Sequence, residues 1–318
     1  MNKSGASYNR IVRGVTTIVS EAELKKKLAD KYSVHSNQIT LGNGSNDVLD
    51  LIARAFLEPG KSAVFSAHAF VVYPIAVQAC GARAIVTPAN NWGHDLEAML
   101  AAIEADTRVV FIANPNNPTG TWLDKSSLQR FLSAVPENVI VVLDEAYTEY
   151  VTEAGFPNGL DYLEQYPNVI VTRTFSKAYG LAGLRIGYGI SSPAVCDLLN
   201  RVRAPFNVST VALAAAAASL DDEGYLEESR RVNTAGLKQL GEGLDALGLE
   251  WIPSVGNFIA FKVPVDAAEV YQGLLRAGVI VRPVGVYAMP NFLRVSVGLE
   301  PENRRFLGAL PAVLGALA

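Results

Sequence analysis

Five short apolar runs, separated by segments with a helical pattern, constrain the fold of this chain most strongly. The runs lie at 62–66, 84–86, 108–113, 139–143 and 168–172, and helical patterns such as 47–57 and 124–134 alternate with them. Most of the runs are rich in β-branched residues and lack polar alternation, which is typical of strands buried on both faces. The sequence therefore predicts an α/β fold with a mostly parallel central sheet sandwiched by helices.

The pattern changes after about residue 205. An alanine-rich stretch and a charged helix at 223–247 precede a second group of short strands, at 257–262, 279–281 and 292–297. We expect a smaller α+β domain here, which an amphipathic helix at about 20–31 is expected to join. The predicted domains are a large one over 38–205, and a small one from 1–37 and 206–318 that includes the interdomain helix.

Composition and charge narrow the class of protein. Half of the 318 residues are apolar, which is ample for a large core, and the net charge is −4. Lys and Arg are scattered, so neither a nucleic-acid nor a membrane surface is expected. No apolar run is long enough to span a bilayer, residues 1–13 carry no signal-peptide pattern, and Cys80 and Cys196 are expected to be reduced thiols. These features predict a cytoplasmic protein.

Two glycine-containing stretches are candidates for ligand binding, one before a predicted helix and one after a predicted strand. Residues 42–47, GNGSND, stand before a helix, where glycines allow a tight turn and free N–H groups attract an anion. Ser45 or Asn46 is expected to cap that helix. Residues 113–120, ANPNNPTG, follow a strand at the sheet edge where open α/β folds bind ligands, and an Asn there can donate its amide. Taken alone, each stretch is also compatible with an ordinary turn.

Two further stretches carry charged groups beside apolar strands. In DEAY, residues 144–147, a carboxylate at the tip of a buried strand needs a partner, whether a ligand, a salt bridge or a metal. The histidines lie far apart in the sequence, so no metal site is expected. In TFSK, Lys177 lies in a weakly charged segment, where a lowered pKa would make it nucleophilic. Arg185, with Thr174 and Ser176, has the chemistry to grip a phosphate.

As an ordered set, the four stretches are far more specific than any one of them. GNGSND, ANPNNPTG, DEAY and TFSKAYGLAGLR resemble the motifs of fold-type-I pyridoxal-phosphate enzymes, and specifically of class I and II aminotransferases. Within that family the set is most similar to histidinol-phosphate aminotransferases. The resemblance extends from about Leu24 to the C-terminus.

The resemblance implies a role for each matching residue. Lys177 forms the Schiff base with pyridoxal 5'-phosphate and carries a proton during the reaction. Asp144 pairs with the pyridine nitrogen and keeps it protonated, so that the ring acts as an electron sink. Asn117 and Tyr147 bond the 3-oxygen of the ring, and Phe70 either stacks on the ring or belongs to the core. The residues implied to hold the phosphate are Gly44, Ser45, Asn46, Thr174, Ser176 and Arg185.

The substrate contacts implied by the resemblance lie mostly near the C-terminus. NFLRVSVG, residues 291–298, matches the family's anion-binding segment and makes Arg294 the substrate clamp. Its guanidinium suits a phosphate or a carboxylate, so one arginine can serve both half-reactions. Arg282 is implied as a second anion contact, with a structural salt bridge as the alternative. Asn117 is also implied as a substrate contact, and Asn257 is expected on the small-domain face over the site.

The implied reaction transfers an amino group from histidinol phosphate to 2-oxoglutarate, giving imidazole acetol-phosphate and glutamate by a ping-pong route. Three alternatives stay open: an aromatic amino-acid aminotransferase, a threonine-phosphate decarboxylase-like lyase, and a cofactor-binding protein without useful catalysis. The family also implies a homodimer with shared active sites. Its N-terminal arm is expected to be shortened or replaced here, because residues 4–17 lack the family's Asn-Glu-Asn-Pro and Arg-Tyr-Pro-Asp types of segment and Tyr8 matches no motif.

Overall fold

The structure is a computed structural model that describes residues 20–317, so residues 4–17 and Tyr8, where the altered arm is expected, lie outside the described part. The strands are β1 (Ile39–Gly42), β2 (Ser62–Ser66), β3 (Arg83–Thr87), β4 (Ala89–Asn90), β5 (Gly93–His94), β6 (Thr107–Ala113), β7 (Ile140–Asp144), β8 (Val169–Thr174), β9 (Gly187–Ser191), β10 (Trp251–Ile252), β11 (Phe258–Lys262), β12 (Arg282–Pro283) and β13 (Phe292–Ser296). The helices are α1 (Glu21–Tyr32), α2 (Ser45–Phe56), α3 (Val72–Ala79), α4 (Leu96–Ala101), α5 (Lys125–Ala134), α6 (Pro193–Val202), α7 (Thr210–Ser219), α8 (Glu223–Ala246), α9 (Ala267–Arg276) and α10 (Glu300–Leu317).

Seven strands form the large sheet, in the order β1-β9-β8-β7-β6-β2-β3. Strand β9 runs antiparallel to both of its neighbours, and the other pairings in this sheet are parallel. The predicted mostly parallel sheet is therefore confirmed. Because β6, β7 and β8 run in one direction, their carboxyl ends meet at one edge, and the motifs that follow them are brought together there.

Helices cover both faces of the large sheet, as the lack of polar alternation predicted. In β7, Val141 and Leu143 face a core that they share with α1, α5 and α7. Ile140 and Val142 face the opposite core, which they share with α2, α3 and α6. Successive side chains of a strand point to opposite faces, so an apolar run without alternation is buried on both sides.

Helices α1 and α7 pack on the large sheet. Leu24 and Leu28 of α1 are fully buried, in the same core as Val110 of β6 and Ala212 of α7. Both helices were predicted to belong to the small domain, and their packing on the large sheet does not match that prediction. The apolar faces of α1 and α7 instead complete the core on one side of the large sheet, while the exact domain limits stay a prediction.

A smaller antiparallel sheet, in the order β10-β11-β13-β12, packs against α8, α9 and α10. The predicted strand at 279–281 is wrong by a few residues. Val279 and Val281 bury their side chains in the small core, whereas it is Arg282 and Pro283 that pair with β13. The small sheet therefore presents Arg282 and Arg294 as cross-strand partners.

Three properties of the described part bear on earlier expectations. No helix within residues 20–317 has both the length and the apolar character needed to cross a membrane. In the same part, no group of three His, Cys, Asp or Glu residues is arranged to hold a metal. Cys80 and Cys196 are free, with Cys196 buried.

Candidate active site

A cleft opens at the carboxyl edge of β6, β7 and β8, beside the first turn of α2. Its lining brings together most of the residues that the sequence analysis selected, namely Ser45, Asn46, Phe70, Asn117, Asp144, Tyr147, Thr174, Ser176, Lys177 and Arg185. These side chains come from five separate chain segments. Their convergence follows from the parallel order of the strands.

One end of the cleft is suited to an anion. Helix α2 begins at Ser45, with Gly44 at its N-cap at a positive φ (82°) and with no side-chain cap. The expected cap by Ser45 or Asn46 is therefore wrong. Arg185 lies so close to Gly44 that a Cβ there would be 2.5 Å from its Nη2 atom, and its Nη1 donates to Ser176 Oγ at 3.2 Å. Free backbone N–H groups, hydroxyls and a guanidinium thus converge without a side chain in between.

A second glycine keeps this end of the cleft open. A Cβ on Gly187 would lie 2.3 Å from the backbone nitrogen of Ser45. The first turn of α2 can therefore approach β9 only because residue 187 has no side chain. Thr174 completes the wall, and its hydroxyl accepts from the backbone nitrogen of Ser176 at 3.1 Å.

Asp144, at the end of β7, is held from two sides. It is 4% exposed, and its carboxylate accepts from Tyr73 Oη and from Thr172 Oγ1, both at 2.9 Å. Burial raises the pKa of Asp144, and these two hydrogen bonds oppose that rise by favouring the charged form. Sequence reasoning selected neither Tyr73 nor Thr172. The available signal for Tyr73 was its position three residues after Phe70, and the two rings meet edge to face with their centres 5.9 Å apart.

Lys177 lies near the middle of the cleft, with Nζ 5.2 Å from the centre of the Tyr147 ring. Burial lowers the pKa of Lys177, as does the positive charge of Arg294, while Asp144 acts in the opposite direction. A lysine in this setting has more of the neutral, nucleophilic amine than an exposed one. Burial also raises the pKa of Tyr147, so its hydroxyl stays protonated and can donate.

Arg294 of β13 reaches over the cleft from the small sheet. Its Nη1 donates to Asn117 Oδ1, and its guanidinium carbon lies 4.8 Å above the ring of Phe258. The Nε atom is buried and has no hydrogen-bond partner within residues 20–317. The guanidinium therefore keeps donor capacity for a further acceptor.

Arg282 and Asn257 do not join the cleft. Arg282 is exposed and forms no ion pair with another described residue, so the salt bridge expected as an alternative is not found there. Its Cα lies opposite that of Arg294 in the sheet. Asn257 lines a separate hollow with Tyr150 and Asn233, so its expected place over the site is wrong.

The opposite face of the same strand ends carries a buried ion pair whose cationic partner, Arg173, was not predicted from the sequence. Glu145 and Arg173 are 1% and 6% exposed, and their charged groups approach to 2.7 Å. The remaining carboxylate oxygen of Glu145 accepts from the backbone nitrogen of Gly159 at 2.7 Å. A salt bridge was expected as an alternative for the acidic pair, and Glu145 rather than Asp144 makes it.

Comparison with known proteins agrees with this geometry. The family described as Aminotransferase class I and II matches residues 2–310. This chain belongs to the class I and II aminotransferases. One relative of this chain, histidinol-phosphate aminotransferase 2 of Pseudomonas aeruginosa, is 64% identical to it over 292 residues. The match covers 92% of this chain and 79% of that protein. Histidinol-phosphate aminotransferase 1 of Dechloromonas aromatica is 53% identical, over 98% of this chain and 86% of its own length.

A solved structure shows the same fold. The histidinol-phosphate aminotransferase from Sinorhizobium meliloti, in complex with pyridoxal-5'-phosphate, superposes with a TM-score of 0.90 at 33% identity. The match covers all of this aminotransferase chain and 88% of the other. The fold class predicted from the sequence, a fold-type-I architecture with a large parallel-sheet unit and a smaller α+β unit, is confirmed.

Proposed function

We propose that the chain is a pyridoxal-phosphate-dependent aminotransferase that moves an amino group from histidinol phosphate to 2-oxoglutarate. The convergence of Lys177, Asp144 and Arg185 in one cleft carries the proposal. The 64% identity to a protein named histidinol-phosphate aminotransferase supports the choice of amino donor.

The residues present fit pyridoxal phosphate at both ends. The cleft end beside Gly44 and Gly187, where added Cβ atoms would meet Arg185 and Ser45, has room and donors for a phosphate. At the other end, the buried carboxylate of Asp144 suits a protonated ring nitrogen. Lys177 lies between the two ends, where an aldehyde would meet its amine.

Each side chain has a defined task in this proposal. When bound, the cofactor supplies a conjugated ring that withdraws electrons from the amino-bearing carbon of the substrate. The buried carboxylate of Asp144 would stabilise positive charge at the ring nitrogen. As a free amine, Lys177 Nζ would take the proton from the amino-bearing carbon of the substrate and deliver it to the carbon that was the cofactor's aldehyde carbon, so that the amino group leaves with the cofactor. Asn117 and Tyr147, which line the cleft, would hold the ring by donating hydrogen bonds to its oxygen.

Arg294 accounts for the two substrates. Its guanidinium has a buried Nε without a partner among residues 20–317, and it can bind a phosphate or a carboxylate in a bidentate manner. Histidinol phosphate presents a phosphate, and 2-oxoglutarate a carboxylate, to the same group. Arg282 on the neighbouring strand is proposed as a weaker, outer anion contact.

The decisive test is substitution of Lys177. We expect Lys177→Ala to abolish amino transfer from histidinol phosphate, and borohydride reduction of the loaded wild type to label Lys177. Lys238→Ala, an exposed lysine on α8, is the control and should keep full activity. Transfer that persists in Lys177→Ala would refute the mechanism. Release of carbon dioxide, or a preference for aromatic amino acids, would instead support the lyase or the aromatic aminotransferase.

The proposal includes a cytoplasmic homodimer. Phe206 is 93% exposed, and its neighbour Asn207 donates to Asp47 Oδ2 in the first turn of α2 at 2.7 Å. An apolar ring presented next to the phosphate end supports a second copy of the chain covering this edge. Sedimentation of the wild type and of Phe206→Ser checks it: the dimer should weaken in the variant.

A further inference from the structure

A hydrogen bond outside the cleft lining links a loop next to the large sheet with a loop next to the small sheet. His68, two residues after β2, has its Nδ1 atom 2.6 Å from the carbonyl oxygen of Tyr287. Because a carbonyl only accepts, Nδ1 carries the proton and donates it. Tyr287 belongs to residues 284–291, the segment between β12 and β13, which we call the closing loop.

An aromatic contact accompanies this hydrogen bond. The ring of Trp92, between β4 and β5, lies 5.1 Å from the ring of His68 and 4.9 Å from that of Phe292. Phe292 is the first residue of β13, two positions before Arg294. His68 and Trp92 therefore fix the start of the strand that carries the proposed substrate clamp.

The backbone at this contact is strained on both sides. His68, Trp92 and Ala288 have φ values of 57°, 65° and 58°, in the left-handed region that residues other than glycine seldom adopt. Such conformations persist when the surrounding contacts hold them, and they cluster at functional sites. Three of them at one junction indicate that the junction is tightly specified.

His68 is also tied to the other partner of Arg294. Asn116 Nδ2 donates to the backbone oxygen of His68 at 3.1 Å, and Asn116 adjoins Asn117, which accepts from Arg294. The imidazole of His68 thus holds the closing loop, and its backbone oxygen holds Asn116, which is next to the Asn117 that accepts from Arg294. Both ends of the Arg294–Asn117 contact depend on one residue.

We propose that His68 is a positioning residue, which fastens the closing loop so that Arg294 is placed over the cleft for an anionic substrate. This inference rests on the proposed function, because Arg294 is assigned there as the anion clamp. His68 does not contact Asp144 or Lys177 in the structure, so its effect should appear in substrate binding rather than in cofactor binding.

A pair of nearly isosteric variants isolates the donated hydrogen bond. Histidine Nδ1 is bonded to Cγ, and so are the amide nitrogen of His68→Asn and the carboxylate oxygens of His68→Asp, so each variant can place an atom near the position of Nδ1. Asn and Asp both tolerate a left-handed backbone. Only Asn can donate to the Tyr287 carbonyl at neutral pH. His68→Gly, which adopts the backbone freely and lacks any donor, serves the same purpose if the Asp variant fails to fold.

The measurement is an equilibrium titration with maleate, an unreactive dicarboxylate, in which the visible absorption of the holoenzyme reports binding. We expect His68→Asp to raise the maleate Kd and the KM for 2-oxoglutarate about tenfold, with a smaller change in kcat. His68→Asn loses the ring contact with Trp92, as His68→Asp does, but it keeps the donated hydrogen bond, so its maleate Kd should rise by no more than about threefold. Pyridoxal-phosphate affinity and the visible band should be the same in all three proteins.

Two results would overturn the inference. One is wild-type maleate affinity in the Asp and Gly variants, and the other is an equal loss in the Asn and Asp variants. If the wild type shows no visible band with pyridoxal phosphate, the proposed function itself fails, and that outcome is distinct from a failure of His68 alone.

Discussion

Replacing Tyr73 by Phe should reduce transamination by acting on Asp144 alone. The hydroxyl of Tyr73 is one of two side-chain donors to this buried carboxylate, at 2.9 Å, and it lowers the pKa of Asp144. The ring of Tyr73 is fully buried and stacks on Phe111 with centres 4.8 Å apart, and Phe keeps that stacking. The substitution therefore removes one oxygen from the site and little packing.

The expected magnitude follows from the remaining contacts. A hydrogen bond to a charged group contributes roughly 1.5–3 kcal/mol, and about 1.4 kcal/mol corresponds to a tenfold change. Thr172 still donates to the other oxygen, so we expect kcat/KM to fall by at least about tenfold near neutral pH. Loss of the hydroxyl also raises the pKa of Asp144 further. Because the ionised form is needed, the acidic limb of the pH–activity profile should move to higher pH.

The assay is kcat/KM against pH for histidinol phosphate, with a matched Tyr→Phe control. Tyr162 is also buried, and its hydroxyl bonds the backbone oxygen of Lys125 away from the cleft. Tyr162→Phe should leave the profile unchanged. An acidic limb that stays in place in Tyr73→Phe, with activity within about twofold of the wild type, would show that Tyr73 does not tune Asp144.

Three further outcomes are expected. Gly187→Ala should weaken pyridoxal-phosphate binding in a spectroscopic titration, because its Cβ would be 2.3 Å from Ser45 N, whereas Gly183→Ala, with open space around it, should not. Glu145→Gln should lower the free energy of unfolding in urea by about 3–5 kcal/mol, since it leaves the buried Arg173 unpaired; an unchanged midpoint contradicts this. Burial raises the pKa of Glu149 in the folded protein to about 7, from 4.5 when unfolded. The folded state therefore gains stability from binding this proton, and that gain is complete below pH 4.5 and is lost as the pH rises through 7. The stability advantage of Glu149→Gln over the wild type should therefore widen from pH 5 to pH 8, and a constant difference would contradict the burial effect.

Elements specified by nearby residues were predictable from the sequence. Strand β2 was predicted at its observed limits, because a buried strand shows as a continuous apolar run. Helix starts were also close. Ser20, Asp124 and Asp222 accept hydrogen bonds from the first turns of α1, α5 and α8, as capping side chains do. The start of α2 was misplaced because Gly44 caps it without any side chain.

Features that depend on distant segments were not predictable in the same way. The bond between Tyr73 and Asp144 joins positions 71 residues apart, and that between His68 and Tyr287 joins positions 219 apart. No local pattern encodes such pairs, since they arise only when the sheets have assembled. The site residues Lys177 and Asp144 were found because family motifs mark them, and their roles stay predictions until the variants are measured.

The two acidic residues at the end of β7 point to opposite faces of the large sheet. Asp144 shares its side of the sheet with Thr172, and Glu145 shares the other side with Arg173, in step with the two-residue period of the strands. Deleting a single residue within β7 would put Glu145 in the position of Asp144 at the cleft and Ala146 in the position opposite Arg173, so that the buried guanidinium would lose its carboxylate. The number of residues in this strand is therefore constrained as well as their apolar character.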